Sequence, residues 1–240
     1  MRVFLTLTRR ELAGFLVSIA GYVIIAVAVF LMGLSFSILI GKLQAPTPMP
    51  IVELFYMTPF FWLILILSVP VITMRLFALE KYSGTFETLM TTPVGEWQVV
   101  LAKFTASLIF FMLMWLPLIG CIYVLGRYSN DPAAFDWATI GTTYLGIFLV
   151  GALFMAVGAL ASALTKSQIV AAMLSLAFTV SVFLLSFAGE KMGVQTGWVN
   201  EAFRYVAVVD HMQDFARGIV DTRQVAFYAT VSFFFPVPDS

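Results

Sequence analysis

Hydrophobic and polar positions do not alternate along most of this chain. Five long apolar runs without a charged residue, Leu12–Gly41, Leu54–Met74, Phe104–Gly126, Trp137–Thr165 and Ser167–Gly189, are separated by short polar segments. A helix rises about 1.5 Å per residue, so roughly 20 apolar residues cross a hydrocarbon core about 30 Å thick. Each run reaches that length. The pattern predicts an all-α, polytopic membrane helical bundle in one domain, residues 1–240, with full spans at about 14–40, 54–74, 104–126, 138–164 and 168–189. A sixth, partial element is expected at 225–235, where the apolar run Val225–Phe235 stops at Pro236-Val237-Pro238. It is either a short helix or a truncated one. Ala202–Val209 is apolar but too short to cross, which suits a helix at or dipping into the interface. The first run far exceeds the h-region of a cleaved signal and reads as a retained span.

Composition sharpens this picture. Charged residues make up 11% of the chain and apolar residues 61%, against about 25% charged in soluble domains. Thirteen basic and thirteen acidic residues cancel, which leaves no basic field for nucleic acid. The charges lie between the runs, as expected when a mid-membrane Lys, Arg or Asp costs about 2.5–3.5 kcal/mol. Up to Gly189, seven basic residues (Arg2, Arg9, Arg10, Arg75, Lys81, Lys103, Lys166) fall on one side and two (Lys42, Arg127) on the other. The positive-inside rule puts the N-terminus and segment Arg75–Lys103 in the cytoplasm and Glu190–Gln224 outside. Tyr56, Trp62, Trp97, Tyr128 and Trp137 stand near span ends, where aromatic rings anchor to the interface.

The chemistry-bearing residues are sparse. Cys121 is the only cysteine and His211 the only histidine, so no internal disulfide and no Cys/His metal cluster can form. No Asp, Glu, Lys, Arg or His occupies the middle of a span, unlike proton- or ion-coupled carriers. Energy for any transport is therefore expected from another source. Span four carries Gly151, Ala152, Ala156, Gly158, Ala159, Ser162 and Ala163, with small-xxx-small pairs that let helix backbones approach. Internal packing is the first reading of these positions and a pathway lining the second. Pro59, Pro70 and Pro117 each remove a backbone donor in or near spans two and three.

The segment between spans two and three is the most telling. Leu76, Leu79 and Lys81 suit a helix leaving the membrane, and Ser83-Gly84-Thr85 breaks it. Thr85 can cap a second short helix with Glu87 in its first turn. Phe86, Leu89 and Met90 form its apolar stripe, and Pro93 ends it. Together these read Glu80-Lys81-x-x-Gly84-Thr85-x-Glu87-x-Leu89-x-x-x-Pro93, an amphipathic elbow on the cytoplasmic face.

This elbow resembles that of the permease subunits of ABC-2 type exporters, and the chain looks most like their gliding-motility-type branch. Trp97–Lys103 before span three and His211-x-x-Asp214-Phe215-x-Arg217-Gly218-x-x-Asp221 before the last span extend the resemblance over nearly the whole chain. The chain departs from the family after Phe235, where the family continues through a full final helix. The resemblance implies a bacterial plasma (inner) membrane protein. It implies a second permease chain, identical or related, and a separate ATP-binding subunit gripped through Glu80, Lys81, Gly84, Thr85, Glu87, Leu89 and Pro93 at 76–93. ATP and Mg would then sit on that subunit. This chain contains no Gly-x-x-x-x-Gly-Lys-Ser/Thr phosphate loop, and no cofactor of its own is expected. Membrane lipid surrounds the bundle, and the branch implies an accessory protein with a periplasmic domain. His211, Asp214, Arg217, Gly218 and Asp221 form an outer segment without an assigned role. A non-transporting scaffold of a motility or secretion machine is the alternative. A membrane-embedded lipid enzyme is the weaker one, because the outer acidic patch lacks a second histidine or a cysteine.

Overall fold

Ser18 divides the first apolar run. In the computed structural model, which describes residues 2–42, 51–56, 58–84, 95–129, 137–191 and 207–234, helix α1 covers Arg2–Val17 and α2 covers Ile19–Lys42. The Ser18 hydroxyl donates to the Phe15 carbonyl at 3.0 Å and accepts the Gly21 N–H at 3.0 Å. It closes one helix and caps the next. The Phe15 carbonyl oxygen occupies the space a Cβ would need at residue 21, so only glycine fits there. The first membrane-crossing candidate is therefore Ile19–Gly41, and the expected start near residue 14 moves inward. Helix α1 is two-faced instead. Arg9 and Arg10 are exposed, while Leu12 and Phe15 pack on the core, with Phe15 stacked on Phe110.

Among the described residues the remaining helices are α3 (Ile51–Tyr56), α4 (Pro59–Thr73), α5 (Ala78–Ser83), α6 (Glu96–Trp115), α7 (Pro117–Ser129), α8 (Trp137–Ala163), α9 (Gln168–Lys191), α10 (Val208–Ala216) and α11 (Thr222–Phe234). Among the described residues, five stretches are long and apolar enough to cross a membrane: Ile19–Gly41, Pro59–Ser83, Trp97–Val124, Trp137–Ala163 and Gln168–Ser186. The described residues form an all-helical polytopic bundle. Prolines punctuate it as expected. Pro59 stands in the first turn of α4 and Pro70 lies inside that helix. Pro117 separates α6 from α7, because it has no N–H to continue the ladder. The sixth element, α11, covers Thr222–Phe234 among the described residues.

Helix α8 is the axis of the bundle. It touches α4, α6, α9, α10 and α11, and 78% of its apolar stretch is buried, against 28% for α2 and 22% for α9, whose apolar sides face outward. The small residues read from the sequence explain this. A Cβ at Gly158 would overlap the hydroxyls of Thr73 and Ser175, and one at Gly151 would overlap the ring of Phe111. At Gly146 it would lie 2.9 Å from the Phe215 side chain. Ala152, Ala156 and Ala159 are buried beside them. With no hydrophobic force between helices in lipid, such close packing is a main source of association. Ala163 is half-buried and Ser162 carries a further role.

Helix α10 begins at Val208, near the end of the Ala202–Val209 stretch, and it inserts Val208, Met212 and Phe215 into the main core beside α8. Residues 202–206 of the expected interfacial stretch fall outside the described residues. Two predicted interface anchors also turn inward: Tyr56 and Trp62 are buried, packed against Phe61. Trp97 and Trp137 are exposed, as an anchor requires, and the Tyr128 side chain lies outside the described set.

Candidate functional site

The elbow grows directly from span two. Helix α4 ends at Thr73, the chain turns through Met74–Phe77, and α5 runs from Ala78 to Ser83. Gly84 follows with φ +71°, the left-handed stop that glycine adopts without strain. The first N–H groups of a helix have no partner within it. Here the Ser162 hydroxyl, reaching across from α8, accepts the N–H of Phe77 at 3.1 Å and of Ala78 at 3.1 Å. It is also within 3.4 Å of the Met74 carbonyl, to which it can donate. One buried hydroxyl thus caps α5 from a different helix. Lys81 answers from the other direction: its ammonium donates to the carbonyl of Ala163, at the end of α8 where the macrodipole is negative.

Glu80 also turns inward. Its Oε1 accepts from Lys103 Nζ at 2.7 Å, and Lys103 lies 3.3 Å from Glu11 Oε1. Residue Lys103 is only 3% exposed. One buried ammonium thus joins carboxylates from α1 and α5 to the start of α6. The outward side of α5 is formed by Leu79, Tyr82, Ser83 and Gly84, with Tyr82 77% exposed. Of the residues expected to grip a partner, Glu80 and Lys81 therefore make contacts within the chain. Gly84 is exposed, and Thr85, Glu87, Leu89 and Pro93 lie outside the described residues. Tyr82 was not singled out by the sequence reading because it occupies a variable place in the motif.

A second polar cluster lies at the other end of the bundle, and it accounts for the outer motif. His211 Nδ1 is 3.1 Å from the Tyr228 hydroxyl of α11. The Gln224 amide donates to Asp214 at 2.9 Å, and Arg217 Nε donates to Glu53 at 2.8 Å. Gly218, with φ +83°, turns the chain so that the Ile219 N–H reaches the Asp214 carbonyl at 2.9 Å. Asp221 caps α11 by accepting the Arg223 N–H at 2.9 Å. Thr142 of α8 donates to the Phe215 carbonyl at 2.8 Å. Tyr56 donates to the Val209 carbonyl, and burial, followed by the nearby carboxylates of Asp210, Asp214 and Glu53, holds its pKa well above the ordinary phenol value. It remains a neutral donor. Glu53 was not assigned by the sequence reading, since it follows a proline-rich stretch, and Tyr56 was read only as an interface anchor. No group of three or more His, Cys, Asp or Glu side chains able to hold a metal ion occurs among the described residues.

These two clusters lie at opposite ends of a bundle whose core is mostly apolar. No curated protein matches the chain. A family model described as ABC-2 family transporter protein matches residues 39–200, from the end of α2 through the elbow and span five, which is more than half of the sequence. The chain therefore belongs to the ABC-2 transporter family and is a multi-pass membrane permease subunit of an ABC transporter.

Proposed function

We propose that this permease lines a translocation pathway as a dimer with a second permease chain, identical or related, and is driven by a separate ATP-binding subunit that carries ATP and Mg. The elbow at 76–93 is the point of force entry, with the N-terminus on the same, cytoplasmic side of a bacterial plasma membrane. One observation carries this reading. Helix α5 is fixed to the ends of α8 and α6 by Ser162, Lys81 and Glu80, yet presents Leu79, Tyr82 and Ser83 outward. A segment so anchored passes a push into the bundle, whereas a loop helix afloat on lipid does not. Glu80 and Lys81 set the elbow's position, and Tyr82 with Gly84 and the following 85–93 segment meets the partner.

Co-purification from native membranes tests this. An ATP-binding subunit is expected to come down with the chain and to be lost from Tyr82→Asp and Gly84→Trp variants that still insert in the membrane. Retention of that subunit by both variants overturns the elbow assignment. Nucleotide hydrolysis that rises with cargo in the reconstituted complex separates a transporter from a static scaffold. The gliding-motility-type branch, with an accessory protein bearing a periplasmic domain, is the finer reading of the outer segment. It predicts that this accessory protein crosslinks near Ile219 and Val220, both exposed. A lipid enzyme is not favoured, because His211, Asp214, Arg217 and Asp221 are each engaged in holding α10 and α11 in place.

A further inference from the structure

Lys103 is the most deeply buried lysine or arginine among the described residues. A buried ammonium is retained only when its partners replace its hydration, and breaking such an arrangement costs far more than breaking a surface pair. Both of its partners are carboxylates, and they come from elements that are far apart in sequence: Glu11 of α1 at 3.3 Å and Glu80 of α5 at 2.7 Å. Neither carboxylate is buried to the same degree, their side chains being 22% and 20% exposed. The three side chains carry one positive and two negative charges. Removing either carboxylate alone leaves the ammonium paired. Removing both leaves it buried without a counter-charge. Removing the ammonium leaves two carboxylates facing each other.

Helix α1 packs along α6 through Phe15 on Phe110, while α5 is fixed to α8 by Ser162 and Lys81. The ammonium is the polar link between these two attachments. We propose that Lys103 is a positioning residue that clasps the amphipathic N-terminal helix to the elbow through Glu11 and Glu80, so that α1 and α5 move as one body when the elbow is displaced. The consequence for transport rests on the elbow being the point of force entry; the clasp itself does not.

Amide hydrogen exchange on the full-length protein in lipid nanodiscs, without partner, tests the clasp. Glu11→Gln lies on a partly exposed helix and leaves the fold intact. It is expected to speed exchange on the order of tenfold in α5 as well as in α1, because local opening tracks the stability of the joined unit. A change confined to α1 overturns the proposal. Lys103→Met is expected to loosen both helices, and Lys103→Arg, which keeps a cation with several donors, to restore protection in both. Failure of the arginine variant to restore protection also overturns it. Glu11→Gln combined with Glu80→Gln is expected to exceed the product of the single effects; a simple product contradicts a shared ammonium. In the complex with its ATP-binding subunit, Glu11→Gln is expected to lower the transport obtained per ATP hydrolysed. Spread of exchange in the nanodiscs, together with no ATP-binding subunit recovered on co-purification, retires the proposed function and keeps the clasp. A bound ATPase without spread does the reverse.

Discussion

Replacing Ser162 by alanine removes one hydroxyl and orphans two amides. The N–H groups of Phe77 and Ala78 both donate to Ser162 Oγ at 3.1 Å, and both residues are buried, at 6% and 0% exposure. They open helix α5, so no carbonyl of that helix can replace the lost acceptor. A buried donor left unsatisfied costs about 1–3 kcal/mol. Two donors, with some relaxation of the turn, give roughly 2–4 kcal/mol against the anchored elbow. At tenfold per 1.4 kcal/mol, opening of α5 is expected to rise by roughly 30- to 1000-fold. Amide exchange read by mass spectrometry over Ala78–Ser83 measures it. Ser181→Ala is the control, since that exposed hydroxyl bonds the Ala177 carbonyl of its own helix at 2.7 Å, and exchange in α5 is expected to stay unchanged. An increase below about threefold in Ser162→Ala, under 1 kcal/mol by the same conversion, refutes the capping argument.

Further expectations concern the bundle axis and the outer cluster. Gly158→Val forces a side chain into Thr73 and Ser175 and is expected to cost at least the roughly 1–3 kcal/mol of ordinary overpacking, read as a lower melting temperature in detergent. Arg217→Met strands the buried Glu53 carboxylate, whose side chain is 3% exposed while that of Arg217 is 45% exposed. Since the cation is half in water, a loss of about 2–3 kcal/mol is expected, below the range for a fully buried pair, and adding Glu53→Gln is expected to recover much of it. Tyr56→Phe deletes the donor to Val209 and is expected to lower stability by about 1 kcal/mol at neutral pH. The Tyr56 pKa is raised in the folded state, so the contribution is full below the unfolded value of about 10 and is lost as pH rises toward the folded one. The gap between wild type and variant is expected to stay constant from pH 7 to 9 and to narrow above about 10; a gap that widens there contradicts a neutral, buried phenol.

The spans were legible because twenty or so apolar residues in a row have one physical use. Span four's glycines and alanines announced close packing, and Gly146, Gly151 and Gly158 each meet a neighbouring side chain. The break at Ser18 was hidden, since apolarity continues across it and only a serine hydroxyl placed between Phe15 and Gly21 makes two helices of one run. The elbow's start and its glycine stop were readable from Ser83-Gly84. The direction of Glu80 and Lys81 was not. A motif gives spacing but not which face of a six-residue helix turns inward, and that is decided by Lys103 and by the end of α8. Glu11, Lys103 and Glu53 lie outside the apolar runs, and their pairing is hidden in the sequence because their partners lie tens of residues away. The outer motif was visible as a pattern, but its meaning as a set of caps and pairs between α3, α10 and α11 exists only in three dimensions.

In the proposed mechanism a separate nucleotide motor drives this bundle through the elbow. A photoreactive amino acid placed at exposed Tyr82, in otherwise native membranes, tests this contact. A covalent adduct with an ATP-binding subunit, identified by mass spectrometry, is expected, with a yield that changes when nucleotide is added. Labelling of position 82 by an impermeant reagent from the face opposite the nucleotide, with no such adduct, contradicts it.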